Sequence, residues 1–589
     1  MKPLSAKLTA LVAGAFEAVG LDPSYGEVVV SARPDLGQFQ CNGALPAAKA
    51  ARANPRQLAD RVLRHLDLPQ VFRDVSLAGP GFLNLTLTDS YLAAHVGEMG
   101  ADGRLGCPTA PRALRIVIDY GGPNIAKPMH VGHLRSAIIG ESLKRLGRFL
   151  GHDVVGDVHL GDWGLQMGMV IAELARRRPD LPYFDPASCG PFPPEPPVTS
   201  GELEELYPTA SQRAKDDPGF AERARQATFE LQRGRPGYRA LWRHLVDVSV
   251  AELQADYGRL GVEFDLWLGE SDAQARIPGL VERLAREGHA RQSEGALVVD
   301  VAEPGDPKEI PPLLLLKSDG AALYGTTDLA ALEQRVHELG AELVLYVVDK
   351  RQADHFLQVF RAARKAGIAP AGVGLEHIGF GTMNGPDGRP FKTRAGGVMK
   401  LRDLLDLVTD KARERIREAG VARDYLPEEV EQIAHRVGVA TLKYADLSNH
   451  RAKDYVFDLD RFSAFEGRTG PYLLYTAVRT RSILRKAAEA GLAPGPLLPP
   501  GGDAERGVML AASRLPDVLA AAFEHRAPNI LCEYAFDLAA AFTRFYQGHH
   551  ILSEADPARQ ASWLGLCDLT VRILLQVLEL LGIGVPERM

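Results

Sequence analysis

Two histidines three residues apart, His130 and His133, flank Gly132, with Asn124 and Lys127 a few positions upstream. Imidazole N–H groups and an ammonium suit the charge on phosphate oxygens, and a glycine between them leaves room for a base or ribose. The tetrapeptide His-x-Gly-His by itself reads as a pair of helix caps, so its setting decides. Leu114 to Tyr120 alternates apolar and β-branched residues and carries a carboxylate at Asp119, as a buried strand would. From Leu134 the apolar positions Leu134, Ile138, Leu146, Phe149 and Leu150 predict a helix closed by Gly151, and a short strand follows at Asp153 to Val155. Strand, polar loop, helix and strand place the loop at the carboxyl edge of a parallel sheet, where nucleotides bind.

A second set of candidates lies further on. The run Leu313 to Leu316 predicts that the sheet resumes there, followed by a helix to about Leu339, a strand Leu343 to Val348 and a helix His355 to Ala366. Tyr324 and Asp328, four apart, share a face if the helix begins there. A lone Tyr or Asp at a helix start is usually a cap or rim residue; the strand-end position favours binding, and Gln352 follows the next strand. Two acids, Asp119 and Asp328, with the Tyr324 phenol at strand ends suit a cationic ligand. After a strand at His377 to Phe380, Phe391 to Gly397 is a basic, glycine-rich loop suited to pyrophosphate, with Lys392, Thr393 and Arg394.

The rest of the chain sets bounds. At 589 residues, three to five domains are expected. A net charge of −7 gives no global attraction to nucleic acid, so an RNA site must be a local basic patch. Five scattered cysteines without a CxxC pair indicate neither a disulfide framework nor a zinc cluster. Leu4, Leu8, Leu11, Val12, Ala15 and Val19 predict an amphipathic first helix rather than a secretory leader, and no apolar run reads as a bilayer span. Lys49, Arg52, Arg56, Arg61 and Arg64 form either a solvated helix face or a phosphate-tracking patch. A proline-rich stretch, Pro179 to Pro197, reads as a linker or surface loop. From Leu401 the pattern is helical, with basic positions at Arg468, Arg479, Arg481, Arg485 and Lys486. The aromatics Tyr534, Phe536, Phe542, Phe545 and Tyr546 are expected to be mostly core; basic residues beside any exposed ones would suit unstacked RNA bases.

These residues carry a resemblance. His130-Val131-Gly132-His133 resembles the HIGH motif of class I aminoacyl-tRNA synthetases, and the run from Asp119 to His152, followed by Gly161-Asp162-Trp163-Gly164, resembles arginyl-tRNA synthetases in particular. Gln38 to Asn42 and Gly79 to Asn84 resemble that family's amino-terminal domain, and Leu580 to Met589 its carboxyl terminus. Phe391-Lys392-Thr393-Arg394 departs from the KMSKS motif and matches the form of many arginyl enzymes, in which Lys127 is thought to supply the missing cation. The resemblance implies an α/β, doubly wound, HUP-like parallel-sheet catalytic domain over 106–400 with an insertion at about 179–300. It further implies a tRNA-contacting α/β domain over 1–105, a helical stem over 401–465 and an all-α anticodon-binding bundle over 466–589.

The implied reaction is ATP-dependent activation of arginine, which in this family needs bound tRNA, followed by transfer to the 3′-terminal adenosine of tRNA(Arg). Lys127, His130, His133, Lys392 and Arg394 would be catalytic, and His130, Gly132, His133, Lys392 and Thr393 would bind ATP. Asp119, Asn124, Tyr324, Asp328 and Gln352 would bind arginine, Asp328 at the guanidinium and Asn124 at the α-carboxylate end. ATP would come with Mg²⁺ as a substrate complex, with no tightly bound metal or organic cofactor. A cytoplasmic monomer without a membrane partner is expected. Two rival readings are another class I synthetase or small nucleotidyltransferase, disfavoured by the acidic pocket and long helical region, and a non-catalytic RNA-binding descendant. The latter is disfavoured because the histidines and the basic loop are both kept.

Overall fold

The computed structural model describes residues 1–318, 320–389, 399–420 and 425–589. The chain forms two compact units: one of residues 1–110, 464–580 and 585–589, the other of residues 111–463 with 581–584.

The second unit is built on five parallel strands: β1 (Arg115–Asp119), β2 (Asp153–Leu160), β3 (Leu266–Gly269), β4 (Leu343–Tyr346) and β5 (Gly374–His377), ordered β5-β4-β1-β2-β3. The helices that matter for the site are α1 (Val131–Phe149), α2 (Ser200–Asp216), α3 (Tyr324–His337), α4 (Ala353–Lys365) and α5 (Pro427–Leu447). From β1 the chain winds one way to β2 and β3, then returns to lay β4 on the other side of β1. The strand order therefore switches between β1 and β4, and the crevice at their carboxyl ends is where a doubly wound sheet takes its ligand. Ser136 of α1 closes that crevice from below: its hydroxyl donates to the Val347 carbonyl (2.6 Å) and accepts from the Gly121 N–H (2.8 Å). Tyr120 packs across Gly140 and Gly156, where a Cβ would fall 2.3 and 2.9 Å from its atoms, so small residues let α1 lie close on the sheet. Buried Arg135 pairs with buried Asp446 (2.9 Å), fastening α1 to α5.

Two strands differ from expectation. Leu313–Leu316 does not resume the parallel sheet; it pairs antiparallel with Ala296–Val299 in a separate three-stranded sheet that ends at Arg291–Ser293. A short apolar run marks a buried strand without saying which sheet buries it. Conversely β3 lies within the stretch read as an insertion, yet it completes the parallel sheet beside β2.

In the first unit, an antiparallel sheet (Val28–Val30, Phe39–Cys41, Phe82–Leu87, Phe72–Ala78, in spatial order) packs with helices that include Leu4–Ala18, whose inner face is Leu4, Leu8, Val12, Ala15 and Phe16. Arg56 and Arg61 donate to the carbonyls of Gly79 and Val19 while Arg64 pairs with Asp60, so that basic face is part fastening and part solvated. The carboxyl-terminal helices join the same unit: Arg506 donates to the Leu87 carbonyl (2.8 Å), Arg572 to the Gly100 carbonyl (2.7 Å) and Ser5 to Asp517 (2.6 Å). Tyr534, Phe542 and Phe545 are buried, as expected, and Tyr546 is exposed. One expectation is corrected: helix Pro557–Leu580 is long and apolar enough to cross a membrane. Most of it is buried in the bundle, with Gln560, Ser562 and Thr570 inside, as suits a core helix.

Candidate active site

His130 is the N-cap of α1 and His133 occupies its first turn. The two rings stack at 3.9 Å between centroids. The backbone N–H of Gly132 donates to His130 Nδ1 (3.0 Å) and that of His130 to His133 Nδ1 (3.2 Å). A ring nitrogen that accepts carries no proton, so in each neutral imidazole the proton sits on Nε2. Burial, then the His130 ring and Lys127, depress His133 to about 3; burial and Lys127 also lower His130. At neutral pH the pair thus offers two fixed N–H donors rather than two cations, at a helix N-terminus whose own dipole favours an anion.

Lys127 Nζ lies 4.4 Å from the ring centre of Tyr207 on α2. The segment after the basic loop returns to the signature of residues 127–133: Val131 N–H donates to the Met399 carbonyl (3.1 Å) and Leu401 N–H to that of Met129 (2.9 Å). Lys392, Thr393 and Arg394 lie outside the described residues.

The acidic side of the crevice is built from β1, β3 and α3. Tyr324 opens α3 and Asp328 follows one turn on, so they share a face as expected. Asp328 accepts from His355 Nε2 at 2.5 Å, and the Tyr324 ring lies 5.0 Å from that imidazole. The Tyr324 phenol sits in the field of Asp328, Asp119 and Glu270. Burial first, then the like charges of Asp162 and Asp328, raise the Glu270 carboxyl against the pull of His159. The Asp119 carboxylate pairs with buried Arg335 (2.7 Å), which also holds Asp157 (2.6 Å) and lies 5.2 Å from the Tyr346 ring centre. Strand register puts Asp157, Asp119 and Tyr346 side by side across the sheet, which lets one guanidinium serve all three. Gln352 ends the turn after β4 and is exposed, one turn before His355.

The Gly161-Asp162-Trp163-Gly164 stretch explains the placement of Asn124 and Glu270. Asn124 and Gly161 form a backbone bridge, and a Cβ on Gly161 would come within 2.3 Å of Asn124 Oδ1. Buried Asp162 accepts from both the backbone N–H (3.0 Å) and the hydroxyl (2.6 Å) of Ser271, and the Trp163 backbone donates to Glu270. The motif is thus a bracket that fixes an amide on one side and a carboxylate on the other. Glu270, His355 and Arg335 were not singled out in the sequence.

A second feature belongs to the first unit. A cavity of about 480 Å³ is lined by Arg479, Lys486, Tyr546, His549 and His550 among others, with the Arg479 guanidinium stacked on Tyr475 at 4.4 Å. Cations and exposed rings of this kind can stack and pair with a nucleobase.

Comparison with known proteins gives the same architecture. Residues 95–459 match the family model for the class I (R) tRNA synthetase catalytic domain, 473–589 the DALR anticodon binding domain, and 5–87 the arginyl tRNA synthetase N terminal domain. The arginine–tRNA ligases of Alkaliphilus oremlandii and Maricaulis maris are 52% and 51% identical, each covering 100% of both chains. The solved arginyl-tRNA synthetase of Thermus thermophilus superposes with a TM-score of 0.80 at 24% identity, again over 100% of both chains, so it shares the fold. With full-length relatives above half identity and a catalytic-domain model spanning most of its length, the chain belongs to the class I arginyl-tRNA synthetase family.

Proposed function

We propose that the chain activates arginine with ATP to arginyl-adenylate and pyrophosphate, then transfers the arginyl group to the 3′-terminal adenosine of tRNA(Arg). The observation that carries this reading is the pairing of two chemistries at one sheet edge: fixed neutral imidazole donors at the start of α1 and a set of carboxylates around Tyr324. Adenylation is an in-line displacement by the amino acid's carboxylate at the α-phosphorus, with pyrophosphate leaving, and needs no protein nucleophile. The protein positions the reactants and stabilises charge as it moves onto phosphate oxygens.

In this reading His130 and His133 donate through Nε2 to the nucleotide, Gly132 leaves space for it, Lys127, Lys392 and Arg394 supply charge to the phosphates, and Thr393 offers them its hydroxyl. Asp328 and Glu270 take the guanidinium, Tyr324 borders it, Asn124 addresses the α-carboxylate end, and Gln352 closes the rim. Asp119 acts by holding Arg335 and adding negative field. Among the described residues no three His, Cys, Asp or Glu side chains converge on a metal position; Mg²⁺ would enter on the substrate phosphates, which suits its reluctance to shed water.

Residues 1–105 and 466–589 would contact tRNA, the latter through the Arg479–Tyr546 cavity, and the enzyme would work as a cytoplasmic monomer. ATP–pyrophosphate exchange with arginine, with and without tRNA, tests the reading. Arginine-dependent exchange is expected with tRNA present; its absence under both conditions would refute it.

A further inference from the structure

The proline-rich stretch leads directly into α2, and that helix touches the signature. Its start is fixed by a reciprocal cap: Glu202 accepts from the Thr199 N–H (2.8 Å) and Thr199 Oγ from the Glu202 N–H (3.3 Å). Leu203, Leu206 and Ala210 bury its inner face, and Arg213 pairs with buried Glu173 (3.0 Å) on the helix that follows the Gly161-Asp162-Trp163-Gly164 bracket. Glu204 and Tyr207, three apart, project together. Glu204 pairs with Lys400 at 2.7 Å, the residue whose backbone bridges His130, and Tyr207 offers its ring to Lys127. One helix face therefore holds the signature lysine and, through Lys400, the backbone beside the first histidine.

We propose that Tyr207 is a positioning residue for adenylation: its ring face selects the orientation in which Lys127 is presented to the nucleotide phosphates. The physical basis is specific. A lysine side chain has four rotatable bonds and a strongly hydrated head, so without a neighbour its ammonium samples many positions. A ring 4.4 Å away attracts the cation without neutralising it, whereas a carboxylate at the same place would cancel the charge the phosphates need. α2 thus contributes to positioning through one side chain. This inference rests on the reading above that Lys127 acts on the nucleotide phosphates.

The test is steady-state pyrophosphate exchange by the full-length enzyme with tRNA saturating, varying ATP at saturating arginine and, separately, arginine at saturating ATP. Tyr207→Leu is expected to lower kcat/KM for ATP by roughly three- to tenfold with the KM for arginine unchanged. Tyr207→Phe, which keeps the ring, should restore it. Because Tyr207 acts through Lys127, Tyr207→Leu should cost nothing further when combined with Lys127→Ala. Three results would overturn the proposal: parental kinetics in Tyr207→Leu, an equal loss in Tyr207→Phe, or an additive loss in the double variant. Parental activity in Lys127→Ala alone would instead remove the reading of Lys127, and this inference with it. Thermal unfolding of each variant separates lost positioning from lost fold.

Discussion

Asp328→Asn isolates the charge at the proposed guanidinium site while keeping the side-chain outline. In the structure Oδ2 of Asp328 is taken by His355 at 2.5 Å, and its side chain is only 13% exposed. The remaining oxygen is the acceptor available to a ligand. A hydrogen bond to a charged group contributes about 1.5–3 kcal/mol, and stranding a partly buried charge without its partner costs about 3–5 kcal/mol at full burial. With Glu270 left to share the cation, a loss of about 2–4 kcal/mol is the reasonable range, or roughly 30- to 1,000-fold in kcat/KM for arginine. The KM for ATP should stay near parental, because the imidazole donors are on another element. Citrulline, neutral but similar in outline, should be a poor substrate for the parent. It should lose far less than arginine in the variant, so that discrimination collapses by the same factor. Exchange kinetics with arginine, citrulline and lysine on parent and variant measure all of this. Parental kcat/KM for arginine in Asp328→Asn would show that the guanidinium is held elsewhere.

Gly161→Ala should leave the fold and the KM for ATP intact but raise the KM for arginine by ~10-fold or more, since the new methyl would sit 2.3 Å from Asn124 Oδ1 and force that amide aside; an unchanged KM would remove Asn124 from the pocket. Arg335→Met leaves buried Asp157 and the partly buried Asp119 without their cation. Denaturant unfolding should show a loss of about 3–5 kcal/mol, partly recovered by adding Asp157→Asn, and a loss under 1 kcal/mol would refute that account. His95 is buried beside Lys7 and Glu98, and burial, then Lys7, lowers it to about 4. The unfolded chain therefore binds the extra proton first, and stability contributed at this site falls as pH drops from about 6.5 to 4. His95→Leu should flatten that part of the stability–pH profile of the unit, and an unchanged slope would show that His95 is not the group responsible.

What could be read in the sequence follows how local each signal is. The strand, loop and helix around His130 and His133 occupy consecutive residues, so spacing alone placed them at a sheet edge. Tyr324 and Asp328 were paired by helical spacing for the same reason. Glu270 carries as strong a functional signal in the structure, yet it follows a four-residue strand far from either group, and it is fixed there by tertiary bonds, Asp162 to Ser271 and the Trp163 backbone to Glu270 itself. His355 is recognised only by its bond to Asp328, and Arg335 only by strand register that aligns two acids beneath it. Leu313–Leu316 shows the complementary failure: four leucines announce burial, but the partner strand is chosen by the chain between Ala296 and Pro312. Asp119 is legible as a carboxylate at a strand end, but its pairing with Arg335 is not, because the two lie more than two hundred residues apart.

The first unit draws its residues from both ends of the chain, with Arg506 and Arg572 from the last hundred residues donating to backbone carbonyls in the first hundred. During synthesis the sheet of residues 28–87 emerges well before the carboxyl-terminal helices that carry those partners. The intervening 353 residues, 111–463, can build most of the sheet unit in the meantime, although its last piece, Leu581–Gly584, with the Gly582 carbonyl accepting from buried Lys443, arrives only after the helices of the other unit. Completion of both units thus waits for residues beyond 580, and a chain released before residue 581 has neither unit whole.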